Sequence, residues 1–175
     1  MKATSPLLLG LLGLSVGYGS EVLAAEDSAE INFTIESNST HEGIGKHWTV
    51  WQFTDPNCET KEKGERIAKK RRNKPIPPVS VPAGRPVTIA FYYVEANFKQ
   101  NRECSYTWTF TPRAGEKYSS DLVVSQNISC NATIVSSSGE IVQASTPVNS
   151  CVVGLYGKKV PNGEPATIGY ETYVY

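Results

Sequence analysis

From residue 27 onward the chain is written in short alternations. Ile31, Phe33 and Ile35 are separated by Asn32 and Thr34, the period of two that buries one face of a strand. Residues 47–54 are rich in Trp, Thr, Val and Phe and stop at the turn cluster Asp55-Pro56-Asn57. Residues 86–95 are almost continuously apolar or aromatic, which suits a central strand. Cys104, Tyr106, Trp108 and Phe110 share one face of the next strand, opposite Ser105, Thr107 and Thr109, which places Trp108 in the core. Thr111-Pro112-Arg113-Ala114-Gly115 turns the chain, with Pro setting φ and Gly taking the position that needs φ > 0. Runs at 118–125 and 128–136 follow, and Ser138-Gly139 breaks the pattern. The C-terminal part predicts a hairpin, 151–160 and 166–175, about Pro161-Asn162-Gly163. About eight or nine short strands at this spacing predict an all-β fold, a single antiparallel β-sandwich of immunoglobulin-like or transthyretin-like type.

One segment, 59–78, does not alternate. Glu62 and Arg66, and Glu65 and Lys69, stand four residues apart, a spacing that supports a short helix, while Gly64 weakens it and Pro75, Pro77 and Pro78 forbid its continuation. Charge changes the picture here. The whole chain is neutral, with 17 basic and 17 acidic residues, which argues against a dedicated nucleic-acid binder. Residues 61–74, however, hold eight basic residues against Glu62 and Glu65, net +6, while residues 26–60 hold seven acids against Lys46, net −6. We therefore expect a basic loop inserted into the sandwich at about 59–78, with Lys69, Lys70, Arg71 and Arg72 as the contact residues for an anionic partner. The competing reading is a solvated loop that complements the acidic N-terminal segment. No aromatic residue lies between 61 and 74, so the stacking half of a single-strand nucleic-acid site is missing.

The first 25 residues read as an export signal. Lys2 precedes the apolar run 7–16, and Val22-Leu23-Ala24-Ala25 offers small residues for a peptidase. Residues 26–175 then form one domain, and no later run is long and apolar enough for a transmembrane helix. All four cysteines, Cys58, Cys104, Cys130 and Cys151, fall in that domain, and none forms a Cys-x-x-Cys pair. An even number in an oxidising compartment predicts two disulfides rather than a zinc site. Of the three pairings, Cys104–Cys130 with Cys58–Cys151 is favoured, since the first would bracket a hairpin and the second would tie the ends.

Chemistry is sparse. His41 and His47 are six apart, flanked by two glycines, and with Glu42 they make no aligned metal-ligand set. Gly13-Leu14-Ser15-Val16-Gly17 spells a nucleophile elbow but lies inside the export segment. No phosphate-binding or dinucleotide fingerprint and no repeat is present, so no catalytic residue, metal or cofactor is assigned. Asn32, Asn38, Asn127 and Asn131 begin Asn-x-Ser/Thr sequons, which matter only in a eukaryotic secretory host.

The stretch Val81-Pro82-Ala83-Gly84-Arg85-Pro86-Val87, Cys104, the run from Phe110 through Pro112 and Gly115 to Tyr118, and Cys130 resembles a group of small exported bacterial proteins of uncharacterised function. The resemblance covers about a third of the chain. It implies a bacterial envelope β-domain and a Cys104–Cys130 bridge, carries no activity, and does not extend to the basic segment. The resulting expectation is a non-catalytic binding or structural protein of the periplasm or extracellular space. Its partner would be an anionic envelope component or protein held through residues 61–74. A small outer-membrane β-barrel is the alternative, and a hydrolase without a recognisable motif a weaker one.

Overall fold

The structure, a computed structural model, describes residues 27–39, 45–60, 62–69, 75–96, 100–154 and 157–169. The export segment, His41, Lys70, Arg71, Arg72 and the last six residues lie outside these. Eleven strands form among the described residues: β1 (Ser28–Ser37), β2 (Gly45–Phe53), β3 (Glu65–Lys69), β4 (Val79–Pro82), β5 (Val87–Ala96), β6 (Gln100–Phe110), β7 (Lys117–Val124), β8 (Cys130–Ser136), β9 (Asn149–Val153), β10 (Lys159–Pro161) and β11 (Ala166–Gly169). They divide into a four-stranded sheet, β4-β1-β7-β8, a five-stranded sheet, β11-β6-β5-β2-β3, and the pair β10-β9. The two larger sheets face each other as a sandwich. Neighbours are antiparallel with one departure from the expected pattern: β1 and β7 run parallel.

Alternation explains the core. In β1, Ile31, Phe33 and Ile35 are buried while Asn32, Thr34 and Glu36 are exposed, so one face meets water and the other meets the five-stranded sheet. Opposite them stand Val50, Ile89, Phe91 and Trp108. Trp48 packs on Tyr93 with ring centroids 4.7 Å apart, and Phe110 meets Tyr118 edge-on at 5.3 Å. Such tilted ring pairs add to the burial of the aromatic surface.

The structure corrects four sequence-based expectations. Residues 65–69 are strand β3, paired with β2, rather than a helix; the sheet edge supplies hydrogen bonds that two solvent-exposed i,i+4 charge pairs, about 0.3–0.5 kcal/mol each, do not outweigh. The basic segment is thus in part an edge strand, not wholly an inserted loop. Cys104 and Cys130 do not bracket a hairpin, because the chain crosses from one sheet to the other between β6 and β7. Pro161-Asn162-Gly163 does not close a hairpin either. It carries the chain from β10 to β11, which joins the five-stranded sheet beside β6. The strand count exceeds eight or nine because the short β3, β4 and β10 carry too few residues to show a period.

Both faces of β6 are covered. Ser105 and Thr107 are fully buried beneath β9. Their hydroxyls lie 2.6 and 2.8 Å from the Ser150 hydroxyl, and the Ser105 hydroxyl donates to the Phe91 carbonyl at 2.7 Å. A polar seam, satisfied internally, therefore holds β9 to the sheet where an apolar one would be usual.

Candidate functional site

The two bridges are structural. Cys58–Cys151 joins the loop after β2 to β9, with Cα atoms 4.5 Å apart, and Cys104–Cys130 joins the two large sheets, with Cα atoms 5.6 Å apart. Trp108 is 2% exposed and shares the core with Cys104 and Cys130.

The cationic segment begins with an anchor. The Glu62 carboxylate accepts the Thr54 and Asp55 backbone N–H groups and the Thr54 hydroxyl, the last at 2.7 Å. Beside it, Asp55 accepts the N–H groups of Thr60 and Asn57 at 2.7 and 2.9 Å. These bonds, that from Thr60 foremost, hold the Asp55 carboxyl down at about 2, since they favour the charged form. Gly64 follows because nothing larger fits: a β-carbon there would come within 2.5 Å of the Phe53 ring. The chain then enters β3 along β2.

The register of β3 decides where its charges stand. Lys69 lies opposite Thr49, Ala68 opposite Val50 and Arg66 opposite Trp51, with a bulge at Ile67. Arg66 and Lys69 are three residues apart and would face opposite sides of a regular strand. The extra residue puts both on the side of Thr49 and Trp51. There the Arg66 guanidinium sits 5.9 Å from the Trp51 ring centroid, within cation–π range, and Trp51 Nε1 donates to Thr49 Oγ1 at 2.9 Å. Among the described residues the ion pairs are Arg102 with Glu95 and Lys117 with Glu30; neither joins the cationic segment to the acidic residues before it. Of the four residues expected to meet an anionic partner, Lys69 is placed at the exposed end of β3, and Lys70, Arg71 and Arg72 lie outside the described residues.

A groove of about 470 Å³ runs along β3, between it and the connection Pro75-Ile76-Pro77. Ile67, Ala68 and Ile76 are half-buried against the main core and form its apolar part, while Arg66 and Lys69 supply charge. A second depression, about 270 Å³, opens between Trp51, Phe53, Gly64 and Val153.

Two buried carboxylates were not anticipated. Glu95 is 1% exposed; its Oε2 accepts the Tyr93 and Ser39 hydroxyls at 2.5 and 2.8 Å, and its Oε1 lies 3.4 Å from Arg102 Nε. Burial, with the neighbouring Glu95, pushes the Tyr93 phenol well above its ordinary range. On the opposite face of the sheet, Glu103 accepts the Tyr92 hydroxyl at 2.5 Å. The signal was a single Glu ending an apolar strand two residues after a Tyr, which puts both on one face. The Tyr93 and Ser39 hydroxyls hold Glu95 Oε2 and the Tyr92 hydroxyl holds Glu103, while the buried Glu95 Oε1 accepts no hydrogen bond among the described residues and faces Arg102 across 3.4 Å. His47 is exposed, and among the described residues no three His, Cys, Asp or Glu side chains gather as a metal site. No protein-family model matches the sequence, and no curated protein or solved structure matches it either.

Proposed function

We propose that the chain is an exported, disulfide-stabilised β-sandwich that acts by binding rather than by catalysis, and that it captures an anionic partner through residues 61–74. The observation that carries this reading is the placement of Arg66 and Lys69. Both stand on one exposed side of an edge strand, without a carboxylate partner among the described residues, and lead directly into Lys70, Arg71 and Arg72. Exposed ion pairs contribute about 0–1 kcal/mol each, so folding gains little from such a cluster, and its mutual repulsion opposes the compact state. An anionic surface relieves that repulsion. The export part of the reading is supported by the two disulfides and by the signal-type N-terminus.

The test is retention on an anionic matrix. Electrostatic capture weakens as the Debye length falls from ~10 Å at 0.1 M to ~3 Å at 1 M salt. Replacing Lys69, Lys70, Arg71 and Arg72 by Ser leaves melting nearly unchanged and abolishes salt-sensitive retention. A quadruple variant that unfolds, or a wild-type protein that is not retained at low salt, would refute the proposal.

A further inference from the structure

The two flanks of the sandwich are finished differently. On one, β6 and β8 face each other across the Cys104–Cys130 bridge, and separate pieces of chain cover their edges. β11 pairs with the start of β6. Further along, Ser105 O accepts the Gly163 N–H at 2.7 Å, and Thr109 and Ser145 exchange backbone bonds of 2.8 and 2.9 Å. On β8, Ile134 O accepts the Val142 N–H at 2.9 Å, and the Cys130 N–H donates to Gly163 O at 3.0 Å.

On the other flank β3 is the last strand of its sheet. Among the described residues it pairs only with β2, and no backbone bond links it to a described loop. Among the described residues its outward N–H and C=O groups thus have no backbone partner, and such an edge is the template onto which a further strand adds. That edge looks into the groove of about 470 Å³, a volume within the roughly 300–1,000 Å³ of binding pockets.

We propose that β3 receives an extended acidic polypeptide segment as an added strand. Its backbone pairs along Glu65–Lys69, its alternate carboxylates meet Arg66 and Lys69, and its intervening apolar side chains rest on Ile67, Ala68 and Ile76. The inference depends on the anionic-partner reading and narrows it. A sulfated or phosphorylated polymer satisfies the two cations but neither the open backbone edge nor the apolar floor, whereas a polypeptide satisfies all three. The bulge at Ile67 suits this occupant, because acidic residues two apart on an added strand share one face, as Arg66 and Lys69 do. Bulges and cations also defend edges against unwanted pairing. A purely defensive role makes the opposite forecast, and the experiment separates the two.

Fluorescence anisotropy of the whole exported protein at low salt would use three labelled probes: a peptide of about ten residues alternating Glu with Val, the same peptide with Pro for each Val, and dextran sulfate. The Glu-Val peptide binds about tenfold or more tighter than the Glu-Pro peptide, and hydrogen exchange slows across residues 65–69 only with the former. The double substitution Arg66→Ser, Lys69→Ser weakens Glu-Val binding about tenfold, whereas Arg66→Lys, Lys69→Arg retains it. Equal binding of all three probes without exchange protection overturns strand addition and leaves the broader anionic-partner reading standing. No binding of any probe overturns both. If the wild type binds no peptide while the Arg66→Ser, Lys69→Ser protein self-associates, the cations guard the edge and the proposal is refuted.

Discussion

Asn162 stands in for a strand. Its side-chain Oδ1 accepts the Thr107 N–H at 2.6 Å, while Nδ2 donates to Thr107 O at 3.1 Å and to Pro147 O at 2.9 Å. One amide thus completes both backbone groups of a residue on β6 that is 0% exposed. The orientation of the amide is forced, since the reverse would set an oxygen against two carbonyls. In Asn162→Ala the Thr107 N–H loses its partner in a buried setting, at about 1–3 kcal/mol, and the Thr107 carbonyl loses one of its two lone-pair contacts. Pro147 is half-buried, so water replaces the third bond at little cost. The expected loss is about 2–4 kcal/mol, read from urea unfolding at neutral pH with both disulfides intact and an unchanged m-value. Asn162→Asp keeps the acceptor but turns a carboxylate oxygen toward two carbonyls, so at neutral pH it destabilises at least as much as Ala. A loss below about 0.5 kcal/mol for Asn162→Ala would mean that water enters and replaces the amide, and the account of this edge would be wrong.

Two further outcomes are expected. Trp108→Ala removes a large side chain from the core beside the Cys104–Cys130 bridge and lowers stability by about 3–5 kcal/mol in the same assay; a change near zero would place Trp108 at the surface. Asp55 has its folded-state pKa depressed from 3.8 to about 2, so its contribution is present above about pH 4 and is lost as pH falls toward 2. Asp55→Asn therefore flattens the acid limb of the stability profile in that window, and an unchanged limb would show that the Thr60 and Asn57 bonds do not couple its ionisation to folding.

Much of the fold was legible in local patterns. β1 announces itself because one of its faces meets water, so Ile31, Phe33 and Ile35 had to alternate with polar residues. The β6 residues Ser105 and Thr107 show the limit: their alternation looks like a solvent face, yet both are sealed under β9. Only a second layer arriving from a distant part of the chain explains them. The candidate site divides in the same way. Its charge was readable from composition, but the positions of Arg66 and Lys69 were not, because their common face is created by a bulge against β2.

What the sequence determines by itself is therefore the local part of this protein: a run of short strands, a set of turns, cysteines available for two bridges and a concentration of positive charge. Each follows from residue type and period, which act over a few positions along the chain. The tertiary structure alone decided that residues 65–69 take the strand state, that Cys104 and Cys130 span two sheets, that Asn162 seals an edge and that β3 comes last in its sheet. These depend on which segment supplies a hydrogen-bond partner across tens of residues of intervening chain. A local period carries no record of that choice, because unpaired strand edges are satisfied by whatever backbone the global packing brings beside them.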